Sequence, residues 1–409
     1  MIADKEIIYW VWLSQVLGAG NKDTEYILSK VSSPKELYNF GQKNGFENIK
    51  FLPEYFINKM KNIKIDVAES IIEKCNKNNY EIITINDKIY PNKLKNIYSS
   101  PLLFYLSGNI NNIKNIDDIL SIAIVGTRKC SDYAKEVTTI FSKQLSSVGI
   151  TIISGMAVGI DTKALKEALN NKRRVIAVLG CGLDVDYPIQ NIELKKQIEN
   201  SENGCLISEY PPETRPFSSN FPVRNRIMSA LSNGVLVVEA GIKSGALITA
   251  KIAIEQGKDV YGVPSNIFFK NNLGTLNLLK EGAILVTDPD DIIFQYRHLI
   301  NIKDKINEDN ESQIFNYEIS NLSDISAFNS EIKESKTIDK SEKEEYNVDY
   351  NLDGILNDIY ILLKNNGPQS ADYISEKLSI PINEILANIT QLELIGAIKN
   401  YNGMKYSIN

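Results

Sequence analysis

Apolar residues in the middle of this chain come in short, nearly uninterrupted runs: IAIV at 122–125, ITII at 150–153, VIAVL at 175–179, VLVVEA at 235–240, DVYGV at 259–263 and ILV at 284–286. Runs of this length, rich in β-branched residues, are expected of parallel strands buried on both faces. Stretches with a helical period separate them, among them YAKEVTTIFSKQLSSV and GALITAKIAIEQG. The alternation predicts an α/β fold built on a doubly wound parallel sheet. In such a sheet the ligand crevice lies beyond the carboxyl ends of the strands. Small and charged residues collect there: Gly126, Thr127 and Arg128 after the first strand, Ser154 and Gly155 after the second, Gly180, Cys181 and Gly182 after the third, and Glu239 and Ala240 at the end of a later one.

The flanks have different patterns. Residues 1–78 read as short helices broken by Gly18-Ala19-Gly20, a turn of helix-hairpin-helix type that suits either a grip on a DNA backbone or a small bundle making protein contacts. Strand, turn and strand over 80–108 lead into a core assigned to 79–300. Residues 301–350 carry 13 Asp and Glu against 6 Lys and few large hydrophobic residues, the composition of an acidic linker. Over 351–409, helical patterns at GILNDIYILLKNN, SADYISEKL and INEILANITQLELIG precede two strands around Asn402-Gly403, which together predict a winged helix. Its third helix holds Glu384 and Glu393 and no Arg or Lys, so it is expected to make protein contacts or bind DNA weakly, not to read base edges.

Composition narrows the chemistry. The four cysteines, Cys75, Cys130, Cys181 and Cys205, have no C-x-x-C spacing, so neither a disulfide framework nor a zinc site is expected. His298 is the one histidine and lies beyond the sheet, which leaves no Ser-His, Cys-His or His-metal mechanism. No catalytic residue, metal or cofactor is expected. No apolar stretch approaches a membrane span and the N-terminus lacks a signal-peptide layout, so a cytoplasmic protein with no membrane partner is expected. The net charge of -6 is concentrated in the acidic stretch, and the remainder of the chain is near neutral. Nucleic-acid binding would therefore need a local basic patch.

One patch fits. Gly126 to Lys129 form a tight turn before a helix, where backbone N–H groups and the Arg128 fork could meet an anion. Phe221, Arg224, Asn225 and Arg226 open another helix, and Ser244-Gly245 a third. Together they are equipment for a phosphate chain with one aromatic positioned to meet a base, although one of Arg224 and Arg226 could instead be a structural ion-pair partner of Glu239 or Asp161. The glycine spacing is neither that of a dinucleotide fingerprint nor that of a P-loop.

The segments DKIYPNKLKNIYSSPLLFYLSGN, AIVGTRKCSDYA, IISGMAVGID, VIAVLGCGLDVDYPIQN, LISEYPPETRPFSSNFPVRNRIMSALS, VLVVEAGIKSGALITAKIAIEQGKDVYGVPSN and LGTLNLLKEGA, in this order over about 80–290, resemble the DNA-processing protein A (DprA or Smf) family. The resemblance implies an extended Rossmann-like core that binds single-stranded DNA, forms homodimers, displaces single-strand-binding protein and loads a RecA-type recombinase during natural transformation. It implies that Arg128 grips phosphate, that Phe221 stacks a base, and that Arg224, Asn225, Arg226, Ser154, Gly155, Gly159 and Asp161 belong to the site. Gly126, Thr127, Lys129, Ser244 and Gly245 complete the set.

The chain departs from the family pattern at Val158, where a basic residue is common, at Leu165, where a His is common, and at Pro264-Ser265-Asn266. Lys129, Lys163, Lys172, Arg173, Arg174 and Lys243 are candidate replacements for the missing cation. Leu276, Leu278, Leu279, Ile284 and Leu285, together with Ile292, exceed what an edge strand and one short helix can hide, and are expected to form a homodimer interface. Two alternatives are kept open: a lysine-decarboxylase-like phosphoribohydrolase, for which the comparable stretch EAGIKSGALITA has Glu239 ahead of its glycines and no acid in the following turn, and a transcription regulator in which the sheet senses a ligand and the winged helix reads DNA.

Overall fold

The computed structural model describes residues 6–114, 116–299, 354–394, 397–401 and 405–408. These fall into two compact units divided at residue 317. The acidic stretch and the Asn402-Gly403 turn lie outside the described residues.

The first unit opens with five helices, α1 (Ile7–Leu17), α2 (Thr24–Lys30), α3 (Pro34–Asn44), α4 (Glu54–Asn62) and α5 (Ile65–Lys77). Trp12 of α1 is fully buried among Tyr38 and Phe46, and its indole N–H donates to the Ile63 carbonyl at 2.9 Å. A buried Trp retains its place only when that N–H finds an acceptor. The helices share one continuous hydrophobic cluster with the sheet that follows.

That sheet has nine strands: β1 (Glu81–Thr84), β2 (Leu103–Gly108), β3 (Ser121–Val125), β4 (Thr151–Ser154), β5 (Val175–Leu179), β6 (Gly204–Ser208), β7 (Gly234–Val237), β8 (Asp259–Gly262) and β9 (Ile284–Leu285). They run in the order β1-β2-β6-β5-β4-β3-β7-β8-β9, parallel except where β2 pairs with β1 and β6. Every residue of β3 to β7 is buried, as unbroken apolar runs require. From β3 the chain steps one way to β4, β5 and β6, then returns to add β7, β8 and β9 on the other side.

Short α6 (Asn92–Lys95) joins the first two strands, and α7 (Asp132–Ser147), α8 (Ile160–Asn170), α9 (Ile192–Glu199), α10 (Asn220–Leu231), α11 (Gly245–Glu255), α12 (Leu273–Lys280) and α13 (Pro289–Gln295) complete the unit. Both α8 and α10 touch β3, β4 and β5, one from each face. Successive right-handed crossovers before and after the reversal put helices on opposite faces in this way.

The end of the sheet corrects one expectation. Helical period turns Leu278 inward, where it is buried against the core, and Leu279 packs over Gly262. Leu276 is half-buried and Ile292 fully buried. Leu278 and Ile292 thus belong to the protomer's own core, while Leu276 and Leu279 stay partly exposed. Ile284 and Leu285, on the two-residue edge strand, face solvent more fully, at 39% and 54% exposure.

The second unit has α14 (Ile355–Asn366), α15 (Ala371–Leu378) and α16 (Ile382–Leu394), and an antiparallel sheet of β10 (Gln369–Ser370), β12 (Lys405–Ile408) and β11 (Ile398–Tyr401) in that order. Ile359, Leu363, Ile374, Ile385, Ile389 and Leu392 form its core.

The burial contrast has a direct thermodynamic reading. Leu278→Ala should lower the unfolding free energy by about 2–5 kcal/mol, whereas Leu285→Ala should change it by no more than about 0.5 kcal/mol. Urea melts of the two variants check this, and equal losses would put β9 in the core.

Candidate nucleic-acid interface

The crevice opens where the strand order reverses, between β3 and β7. The loop after β3 is fastened on both sides: the Thr127 N–H donates to the Glu239 carbonyl at 2.7 Å, and the Thr127 carbonyl accepts from the Ile160 N–H at 3.4 Å. Gly159, with φ of +92°, turns the β4 loop beneath it, where a β-carbon would lie 2.5 Å from the Thr127 oxygen. The buried Glu239 side chain accepts from the Ser131 N–H at 3.1 Å and from the Ser131 hydroxyl, closing the start of α7.

Helix α10 carries the Phe-Pro-Val-Arg-Asn-Arg stretch over the ends of β4 and β5. The Arg224 side chain is buried, and its Nη1 donates to the Gly155 carbonyl at 2.7 Å and to the Val178 carbonyl. Its Nε donates to Asn225 Oδ1 at 3.2 Å. A β-carbon at Gly155 would sit 2.6 Å from Nη2, so only glycine lets the guanidinium lie against the backbone. Asp161, also buried, accepts from the Gly155 N–H at 3.1 Å. Burial pushes its carboxyl up to about 6, against the opposing pull of Arg224 and the Ala157 and Gly155 N–H groups.

Arg226 faces away. It pairs with Glu209 at 2.7 Å, both side chains buried, and donates to the Ser99 carbonyl at 2.9 Å and the Val223 carbonyl at 3.0 Å. Its ionic partner is thus Glu209, not the Glu239 or Asp161 suggested by sequence. Glu209 also accepts from the Gly20 N–H at 3.1 Å. The Gly18-Ala19-Gly20 turn is therefore docked on the core beside Val223, with its Gly20 N–H directed at a carboxylate.

Phe221 is half-buried between groups of two kinds. The Tyr187 ring lies 5.6 Å from its own, and the guanidinium carbons of Arg128 and Arg224 lie 5.7 and 5.9 Å from its centroid. A groove of about 430 Å³ runs past this aromatic, lined by Gly126, Thr127, Arg128, Asp161, Phe221, Arg224, Asn225, Lys243, Ser244, Gly245 and Asn271, among others. A shallower extension of about 300 Å³ passes Arg128, Tyr187 and Pro222. At the groove's floor α11 begins, capped by the Ser244 hydroxyl, which accepts from the Ala246 N–H at 3.3 Å. Arg128 and Lys243 are exposed cations and the α11 terminus offers N–H donors, so the groove is built to receive an anion.

Residues 81–297 match the family described as DNA recombination-mediator protein A. The chain belongs to that family. Protein Smf of Synechocystis is 31% identical over 418 residues, 99% of each chain. The DNA processing protein DprA of Streptococcus pneumoniae is 40% identical over 214 residues, 52% of this chain and 73% of the relative. The crystal structure of the pneumococcal protein superposes with a TM-score of 0.57 at 31% identity, covering 69% of this chain and 97% of that one.

Several residues that the family resemblance brought into the site do not reach the groove. Ser154 is fully buried and ties β4 to β3 through its hydroxyl and the Ile124 carbonyl at 2.7 Å. Gly159 shapes the loop from beneath, Arg226 belongs to the Glu209 cluster, and Lys129 is exposed outside the groove lining. Of the candidate replacement cations, Lys243 alone lines the groove: Lys163 is paired with Glu167 at 2.8 Å, and Lys172, Arg173 and Arg174 precede β5 at the opposite end of the sheet. Sequence reasoning missed Tyr187. Its signal was an aromatic in the loop after β5, at the ligand-bearing end of the sheet.

Asp161 yields a pH prediction. A carboxyl raised in the folded state keeps its proton there while the unfolded chain gives it up, so its ionisation removes stability as pH rises from about 4 to 6. Relative to Asp161→Asn, the native chain should gain stability as pH falls from about 7 to about 5. Urea midpoints of both proteins measure the difference, and a pH-independent gap would mean that Asp161 titrates as an ordinary carboxyl.

Proposed function

We propose that the groove holds single-stranded DNA and that the chain is a recombination mediator which protects a strand, displaces single-strand-binding protein from it and loads a RecA-type recombinase on it, in natural transformation. The carrying observation is the meeting, at one topological switch point, of an exposed Arg, a capped helix N-terminus and a partly exposed Phe. Arg128, Lys243 and the α11 N–H groups meet phosphates, and Phe221 offers a face to a base, a combination tolerant of sequence. Arg128 leans over the Phe221 ring. An arriving base would take its place on the ring and leave the guanidinium to a phosphate.

Neither alternative gains support. The stretch comparable to the phosphoribohydrolase motif has no acidic residue after its glycines, and Glu239 ahead of them has its carboxylate engaged by Ser131 and does not line the groove. The third helix of the second unit carries carboxylates and no cation.

A homodimer through the sheet edge remains part of the proposal, carried by Ile284 and Leu285. A short edge strand with exposed backbone and two apolar side chains suits a two-fold partner, and paired grooves would share one strand with a gain in avidity.

Two experiments test the reading. Arg128→Ala should weaken binding of single-stranded DNA of any sequence and flatten the log affinity against log salt slope by about 0.7, while Phe221→Ala should lose roughly 1–3 kcal/mol and Phe221→Tyr little. Fluorescence anisotropy at several salt concentrations reads both, and unchanged slopes and affinities would remove the groove from DNA binding. For self-association, Leu285→Lys should give a folded monomer by light scattering; a native chain that is already monomeric at micromolar concentration would end the dimer proposal.

A further inference from the structure

The loop that follows β8 exposes three large apolar side chains in succession: Ile267 at 69%, Phe268 at 85% and Phe269 at 61%. Water-facing aromatics in adjacent positions mark an interaction surface more often than isolated ones do. The loop is held in shape by its own hydrogen bonds. Asn266 Oδ1 accepts from the Phe268 N–H at 2.9 Å, the Asn266 carbonyl from the Phe269 N–H at 3.1 Å, and the Pro264 carbonyl from the Tyr133 hydroxyl at 3.0 Å.

Its location ties it to the groove. Lys270 and Asn271 run past Gly241, where a β-carbon would lie 3.8 Å from the Lys270 carbonyl oxygen, and Asn271 lines the groove together with Gly241 and Lys243. Phe221 lies over Gly180 at the end of β5, and the Phe268-Phe269 pair follows β8, four strands along the same carboxyl edge. At roughly 4.8 Å per strand, the ends of β5 and β8 stand about 19 Å apart, and the groove lining runs from Phe221 to Asn271, two residues beyond Phe269.

Resting on the single-strand reading above, we propose that Phe268 and Phe269 form a second base-stacking step, receiving the strand where it leaves the groove on the β8 side. Charge favours a polyanion with flat bases as the occupant: Lys270 directly follows the pair, Lys243 lines the groove together with Asn271, and no Asp or Glu occurs from Val260 to Lys280. Stacking on an aromatic is indifferent to base identity, so this step would lengthen the footprint without imposing a sequence.

The test uses the full chain carrying both Phe268→Ala and Phe269→Ala, beside the double Tyr variant and Arg128→Ala. Anisotropy is measured on oligothymidylates of about 5 and about 20 nucleotides. The double Ala variant should bind the long probe about tenfold or more weakly, bind the short probe as the native chain does, and keep its melting temperature; the double Tyr variant should retain native affinity for both. Arg128→Ala should weaken both probes, which separates the parent reading from this one. Native affinity of the double Ala variant for the long probe, with Arg128→Ala impaired, would overturn the second step alone. A change in oligomeric state by light scattering in step with the lost affinity would also overturn it, by making the loop a contact between copies.

Discussion

A guanidinium with almost no access to water is an unusual foundation for a surface site, and Arg224 supplies one here. Its Nη1 donates to carbonyls near the ends of β4 and β5, where parallel strands leave acceptors without ladder partners. Removing a charge from water is tolerable only when every donor finds an acceptor and an opposite charge is near. Gly155 gives the backbone access, Asn225 accepts the Nε–H, and Asp161 supplies the opposing field. The start of α10 is thereby pinned to the sheet, and Phe221, one turn ahead of Arg224, is presented at the groove.

The same helix is secured on its other side by Arg226. Glu209 binds this guanidinium and the Gly20 N–H together, so the N-terminal helices, the loop at Ser99 and α10 share one buried charge cluster. Breaking one partner of such a cluster leaves the other charge buried and unpaired, which costs more than the pair contributes. The helical region thus bears on the geometry of the groove through a polar junction as well as through the hydrophobic cluster.

The central sheet was readable because parallel strands buried on both faces leave an unmistakable apolar signature, and because loops at their carboxyl ends must carry the ligand chemistry. Arg128, Phe221 and the Ser244-Gly245 helix start all meet in the groove on that reasoning. Direction of side chains was not readable. Arg224 and Arg226 are two residues apart on a helix and so point to different sides, one to the strand ends and one to Glu209. The leucines of α12 count as surplus in one dimension, but their period buries Leu278 in the protomer's own core. Tyr187 lies in the loop after β5, at the ligand-bearing end of the sheet, but its meeting with Phe221 comes only through the fold.

The burial of Arg224 and Arg226 bears on how such chains should be compared. A relative without the proposed role in DNA binding would still need both guanidinium groups to keep α10 on the sheet, so the Arg-Asn-Arg signature marks the scaffold and not the groove. Arg128 and Lys243, by contrast, are exposed, so changes there would leave α10 in place.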